Sequence, residues 1–443
     1  MHKSPAARTP GPSAAITYRE AIRRLYALAP LGIRPGLTRI RGLLKALGNP
    51  EASYPAVLVA GTNGKGSTAA SIASILTESG LVVGLYTSPH LIRFNERIRI
   101  GFTPATNGEV AEAYRRVAGA AREVAPLAGE PTFFETATAM AFEIFRQRGV
   151  DIAVVEVGMG GRLDATNAAR AVVSVITNIG LDHSAHLGCD PERVASEKAG
   201  IIKKGGAVVT GEQARPPLDV ITGAARRKGS TILRLGADFS MTPLARPGSF
   251  DYSGAGVEMK GLSTPLAGAH QLTNAAVAVA VAGALMEMGF PVTPGSIRRG
   301  LRGTRWPGRL EVVSKRPLLL LDCAHNPPGA EALASYLAAL GRRRLILVAG
   351  IMEDKDIDGI LTPLLPLAAT FIATSPRFPR AAPARRLARI ARAHDVRAET
   401  RTPVSAALRY ALELARPADA VVVAGSIFTV GEAKKALDRL LRR

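Results

Sequence analysis

The chain has 443 residues, 47% hydrophobic and 21% charged, with a formal net charge of +21. That length and balance predict two or three globular domains and exclude a disordered or fibrous chain. No run approaches the ~20 apolar residues of a membrane span, so no membrane partner is expected. Two widely spaced cysteines, Cys189 and Cys323, fit a reduced, cytoplasmic compartment without disulfides. Residues 1–15 lack an apolar core segment and read as a disordered basic tail, not a secretory signal. Arginines cluster at 341–344, 377–393 and the C-terminus with few aromatics between them. This fits a solvated basic surface or attraction of small polyanions better than nucleic acid, which is not expected as a partner.

In chain order, residues 16–49 predict two short amphipathic helices around the loop Gly32–Gly36. Next comes VLVAGTNGKGSTAASIAS, Val57 to Ser74: an apolar strand, a glycine loop and a helix. Such a loop turns backbone N–H groups toward phosphate, the helix N-terminus adds positive partial charge, and Lys65 adds a full one. Its spacing departs from the standard nucleotide loop, because a glycine separates Lys65 from Ser67. A second strand, Leu81 to Tyr86, ends at Thr87-Ser88-Pro89-His90. Phe94 to Gly101 alternates as an exposed strand would, a helix runs to about Ala125, and another spans Glu135 to Arg148.

Apolar runs then fall at Ile152–Val157, Val172–Ile176 and Ala207–Thr210, the rhythm of parallel strands with crossovers. Residues 230–268 read as short strands and turns, followed by an Ala/Val-rich helix from Gln271 to Met288. A break at Thr304–Gly308 predicts a hinge, after which strands restart at Leu318–Leu321, Leu345–Ala349, Thr370–Ala373 and Ala420–Ala424. The expected fold class is α/β, two open, mostly parallel-sheet domains over 16–303 and 304–443. Polar signatures follow five of the apolar runs: GTNGKGS, TSPH, TNIGLDH, DCAHNP and GSIF. Ligands bind at the carboxyl ends of strands in open parallel sheets, so these loops should converge.

Glu156 ends an apolar strand, where an acid is either neutral or faces a cation; magnesium is the natural cation beside a triphosphate, and a solvent-facing edge position is the alternative. Asp164 reaches a substrate or caps a turn. His183 shows no zinc pattern, and Lys198 reads as a surface cation from its own segment. Asn274 suits a base contact or a helix N-terminal turn, and Asp322 a ribose contact or a helix cap. No nucleophile-plus-base set stands out, which disfavours a covalent enzyme.

AGTNGKGST, YTSPHLIRFNERIRI, EVGMGGRLDATN, TNIGLDHSAHLG, EKAGIIKKG, AHQLTNA, RWPGRLE, DCAHNP, KDID and GSIFTVGE occur in that order over about residues 20 to 435. In this the chain resembles the folylpolyglutamate synthases and dihydrofolate synthases of the Mur ligase superfamily. The resemblance implies an N-terminal Mur-ligase-type ATPase domain and a smaller, Rossmann-like C-terminal domain, with ATP and two Mg2+ ions between them. Thr62, Asn63, Gly64, Lys65, Gly66 and Ser67 would wrap the phosphates. Ser88 and Glu156 would hold one ion, and Glu156 with His183 a second, served by Lys198 as an N-carboxylated side chain. Asn274, Arg309 and Asp322 match further ATP contacts. Phe133, Phe134, Glu135, Leu163, Asp164 and Ala165 match the pterin-substrate region, and His325 and Ser426 the incoming glutamate.

The implied catalytic set is Lys65, Lys198, His183 and Arg309. The implied reaction joins L-glutamate to dihydropteroate or folate through an acyl phosphate, in a monomer whose partners are small molecules. Departures from the family pattern are Ser184-Ala185, Cys189-Asp190 and Cys323. A Mur-type cell-wall ligase is the nearest rival, but only some 55 residues precede the phosphate loop, too few for its extra nucleotide-binding domain. A nucleic-acid-binding ATPase is suggested by charge alone.

Overall fold

The structure is a computed structural model that describes residues 16–180, 188, 190–341 and 344–440. Its strands are β1 (Ala56–Ala60), β2 (Val83–Tyr86), β3 (Ile98–Ile100), β4 (Thr103–Pro104), β5 (Ile152–Glu156), β6 (Ala171–Ile176), β7 (Ala207–Thr210) and β8 (Thr231–Arg234). Then follow β9 (Phe239–Pro243), β10 (Ser249–Gly254), β11 (Val257–Ser263), β12 (Glu311–Lys315), β13 (Leu318–Leu321), β14 (Leu345–Ala349), β15 (Ala368–Ala373), β16 (Ala398–Thr400) and β17 (Ala420–Ala424).

The first sheet has the order β4-β3-β2-β5-β1-β6-β7-β8, and its strands are parallel from β2 to β8. The second has the order β12-β13-β17-β14-β15-β16, parallel except at the β12 edge. The central strands are buried and mostly apolar because helices cover both faces of both sheets, the acid Glu156 closing β5 being the main exception. On one face of the first sheet lie helices Tyr18–Tyr26, Thr38–Ala46, Asn107–Ala128 and Phe133–Gln147; on the other, Lys65–Glu78, Ala269–Glu287 and Pro294–Gly303. Two α/β domains result, and a small antiparallel sheet, β9 to β11, packs against helix Ala269–Glu287.

Two local expectations change. The segment read as a strand from Phe94 is a 3-10 turn, Phe94–Arg97, followed by the short β3. The turn forms because the Glu96 carboxylate collects the N–H groups of Leu91, Ile92 and Arg93, a local competition that alternation does not reveal. Helix Ala269–Glu287 does approach a membrane span, with 19 residues and a mean hydropathy of 1.3, yet 78% of that window is buried inside the protein. Its apolarity is that of a core helix wrapped on all sides.

Helix Pro294–Gly303 lies so close to Lys65–Glu78 that a Cβ on Gly300 would stand 2.4 Å from Ile75 Cα, while Ser74 Oγ donates to the Gly300 carbonyl at 2.6 Å. Gly300→Ala is therefore expected to destabilise the fold by about 1–3 kcal/mol, read as a lowered urea midpoint at unchanged slope.

Candidate active site

The parallel register sets the site. Glu156 pairs with Val59, and Ile176 with Ala60, so β1, β5 and β6 release their loops at one level. Helix Lys65–Glu78 starts directly from the glycine loop, with Gly64 at φ 82 as its N-cap. The loop is closely enclosed. A Cβ on Gly61 would lie 1.8 Å from Thr177 Oγ1, and one on Gly66 would lie 2.8 Å from Trp306 Nε1. Thr62 Oγ1 both donates to the Gly180 carbonyl at 2.8 Å and accepts from its N–H at 2.9 Å. Thr177 Oγ1 donates to the Asn63 carbonyl at 2.6 Å. Lys65 Nζ donates to the Thr62 carbonyl at 2.9 Å and to the Gly61 carbonyl at 3.0 Å; Lys198 Nζ, from the far side, donates to that same Gly61 carbonyl at 2.9 Å.

Lys198 is thus no surface cation but a buried side chain, 4% exposed, on helix Pro191–Ala199. Two ammonium groups on one acceptor repel each other, and converting the Lys198 amine to a carbamate would replace repulsion with attraction. Glu156 is likewise buried, at 5% exposure, which overturns the solvent-facing alternative. Burial raises its pKa, opposed by the charge of Lys65, the Ser88 N–H bond and the charges of Arg309 and Arg97; that N–H reaches Oε2 at 2.9 Å. Among the described residues no group of three His, Cys, Asp or Glu forms a cage for a metal. A single carboxylate beside a serine nonetheless fits Mg2+, which keeps waters and phosphate oxygens as its other ligands. His183, the remaining expected ligand, lies outside the described residues, as does Cys189.

The second domain closes the cleft. The Asp322 carboxylate accepts from Leu310 N at 2.8 Å and Ala324 N at 2.9 Å, and burial pushes its pKa up against the pull of Arg309. It does not cap the next helix. Asn326 does so, accepting from Gly329 N at 3.0 Å. Leu310 sits at φ 45, a conformation rare for a branched side chain. It follows Arg309, which lines one cleft with Gly66, Ser88, Glu156 and Trp306. Asn63 and Asn326 exchange side-chain hydrogen bonds of 3.2 and 3.0 Å across the two domains. Asn274 is in the second turn of its helix, donates to Gln271 Oε1 at 3.0 Å and faces Gly64. The loop after β2 meets helix Ile427–Leu440, where a Cβ on Gly431 would lie 2.2 Å from the Leu91 carbonyl. The strand-end loops therefore do converge.

Phe133 and Phe134 open helix Phe133–Gln147. Phe133 lies 5.3 Å from Tyr26 and 6.4 Å from Phe94, and Phe134 lies 6.2 Å from Tyr86, measured between ring centroids. Glu135 serves the Thr132 capping box and pairs with Arg39 at 3.1 Å, while its Oε1 is buried without a hydrogen bond. Asp164 caps the turn Ala165–Ala168, and the Leu163 carbonyl accepts from Gly36 N at 3.3 Å. His325 Nδ1 bonds the Cys323 carbonyl at 2.9 Å, and Ser426 Oγ accepts from Thr429 N at 3.1 Å. Trp306, Thr177, Asn178 and Asn326 lie in the segments RWPGRLE, TNIGLDH and DCAHNP but were not singled out individually as site residues; Asn178 Oδ1 accepts from Asn63 N at 2.9 Å.

The Mur ligase middle domain matches residues 59–282, and the Mur ligase glutamate ligase domain matches 308–427. The chain is 39% identical over 375 residues to a folylpolyglutamate synthase of Lacticaseibacillus casei, covering 83% of this chain and 88% of that one. To the dihydrofolate synthase/folylpolyglutamate synthase of Bacillus subtilis it is 36% identical over 377 residues, covering 84% and 88%. The structure of E. coli FolC in complex with DHPP and ADP superposes with a TM-score of 0.88 at 33% identity, covering 97% of this chain and 100% of that one. A bifunctional folylpolyglutamate synthase/dihydrofolate synthase with Mn, AMPPNP and L-glutamate bound gives 0.85 at 34%, covering 97% and 100%.

His90, beside the cleft, accepts from Arg97 Nε at 2.9 Å through Nδ1, and its Nε2 lies 3.2 Å from the Tyr26 hydroxyl. Burial, then the charge of Arg97, lowers its pKa to about 3 from 6.5. The unfolded chain binds a proton there that the folded one refuses, so this contribution to stability is full above pH 6.5 and falls as pH drops toward 3. Urea midpoints measured down the acid range are expected to fall more steeply for the native chain than for His90→Gln.

Proposed function

The chain belongs to the folylpolyglutamate synthase and dihydrofolate synthase family of Mur ligases, and from that premise we propose that it uses ATP to add L-glutamate to dihydropteroate, to folates, or to both. The observation that carries this reading is a single cleft in which a lysine-bearing glycine loop, the buried Glu156 and Arg309 of the second domain come together. Family relatives have been solved with ADP, with AMPPNP and Mn, and with L-glutamate.

Thr62, Asn63, Gly64, Lys65, Gly66 and Ser67 would hold the ATP phosphates, with Asn274, Arg309 and Asp322 completing the nucleotide site between a domain over 16–303 and one over 304–443. Ser88 and Glu156 would hold one Mg2+, and Glu156, His183 and carboxylated Lys198 would serve a second. The ions supply charge neutralisation and alignment for the transferred phosphoryl group. Lys65 and Arg309 add fixed positive charge at the same place. The substrate carboxylate attacks the γ-phosphorus, ADP leaves, and the glutamate amine then displaces phosphate from the acyl phosphate to form the amide. Phe133, Phe134, Glu135, Leu163, Asp164 and Ala165 would receive the pterin, and His325 and Ser426 the glutamate. Closure of the second domain would keep water from the acyl phosphate. The partners are small molecules, the working form a monomer and the setting the cytoplasm.

Radiolabelled glutamate offered with ATP and either dihydropteroate or a reduced folate is expected to be incorporated with at least one of them; incorporation with neither would overturn the proposal. Lys198→Ala is expected to lose activity that short-chain carboxylic acids partly restore. A fully active variant would remove the carbamate from the mechanism.

A further inference from the structure

Arg97 ends the turn Phe94–Arg97 and is 7% exposed. Elsewhere in this domain arginines meet buried acids: Arg39 with Glu135, and Arg116 and Arg146 with Glu143. Arg97 makes no ion pair among the described residues. Its Nε donates to the imidazole of His90, and its guanidinium carbon lies 5.3 Å from the centroid of Phe133 and 5.9 Å from that of Phe94. A buried guanidinium without a carboxylate is costly unless something else supplies one. His90, the aromatic faces and the Tyr86 hydroxyl engage only part of the fork.

Position narrows what that anion is. Phe133, tilted against the Tyr26 ring, belongs to the region proposed for the pterin, whereas Glu156, which feels the charge of Arg97, belongs to the phosphoryl-transfer end. The Arg97 carbonyl accepts from Thr87 N at 2.9 Å, which ties it to the Thr87-Ser88 loop. Between a pterin and a γ-phosphate the substrate places one group, a carboxylate on a benzene ring. Aromatic walls beside a planar guanidinium suit that group.

We propose that Arg97 anchors the aryl carboxylate of the pteroyl substrate, holding one oxygen while the other faces the γ-phosphate, and so selects for a carboxylate at this point. The assignment rests on the ligase reading above. The oxygen held by Arg97 becomes the carbonyl oxygen of the acyl phosphate. When the glutamate nitrogen bonds to the carbonyl carbon, that oxygen takes the π electron pair. It returns the pair as the C–O bond breaks and phosphate leaves with the bonding electrons, and the amine proton passes to water.

The test is calorimetric binding of dihydropteroate and of its carboxamide to the full chain, in the native protein and in Arg97→Met and Arg97→Lys. The native chain is expected to prefer the acid by roughly ten- to a hundredfold, the usual worth of a charged hydrogen bond. Arg97→Met should bring the acid-to-amide ratio toward unity with ATP affinity unchanged, and Arg97→Lys should fall between. A purely structural role would weaken both ligands alike, so an unchanged ratio in a folded variant overturns the anchor, as does a native chain that does not bind the acid. Folding is read from the emission of Trp306; if Arg97→Met does not fold, Arg97→Lys decides by the same ratio. Arg97-dependent binding of the acid without glutamate incorporation would remove the ligase reading and leave the anchor. Incorporation with an unchanged ratio would do the reverse.

Discussion

The phosphate loop has no room for another carbon. Gly61 touches Thr177 and Gly66 touches the Trp306 ring, so the loop's shape is set by β6 behind it and by the interdomain link in front. Everything else in the site is positioned relative to that enclosure. Parallel pairing brings Glu156 and Thr177 to the level of the loop, and the hydrogen bonds of Thr62 fasten it to Gly180. A backbone cradle held this way meets an anion without reorganising, which is where electrostatic preorganisation draws its strength.

Charge in the cleft is arranged around that cradle. Lys65 and Lys198 approach one carbonyl from two sides, Arg309 enters from the second domain, and Glu156 stands buried opposite. Each is unfavourable to bury alone and tolerable with the others, since opposite charges at short range in a low-dielectric cleft offset desolvation. Trp306 closes the front of the site, with the Arg99 guanidinium 5.4 Å from its ring centroid.

The strands were legible because burial on both faces writes continuous apolar runs, and Leu318–Leu321 or Ala420–Ala424 admit few other readings. The glycine loop and the strand-end signatures were legible for the same reason, since each interrupts such a run. Individual burial was not. Lys198 looked like a surface cation because nothing in SEKAGIIKKG says that its helix turns that side chain toward β1. Glu96 folded its own segment into a turn through three backbone N–H groups, a contact invisible to alternation. The helix cap that the sequence offered to Asp322 fell to Asn326, while the Asp322 carboxylate took two backbone N–H groups of its own loop. Contacts between chain segments 263 residues apart, such as Asn63 to Asn326, exist only once both sheets have formed.

That last contact has a bearing on how the enzyme lives in a changing medium. The two domains meet at the loop through a pair of neutral amides, one of which also caps a helix. In a chain with a net charge of +21, a clasp of opposite charges would loosen and tighten with ionic strength and titrate with acid. Amides carry no charge to screen and no proton to lose, and water replaces their hydrogen bonds nearly one for one when they part. The clasp itself therefore keeps the same strength across ordinary swings of salt and pH.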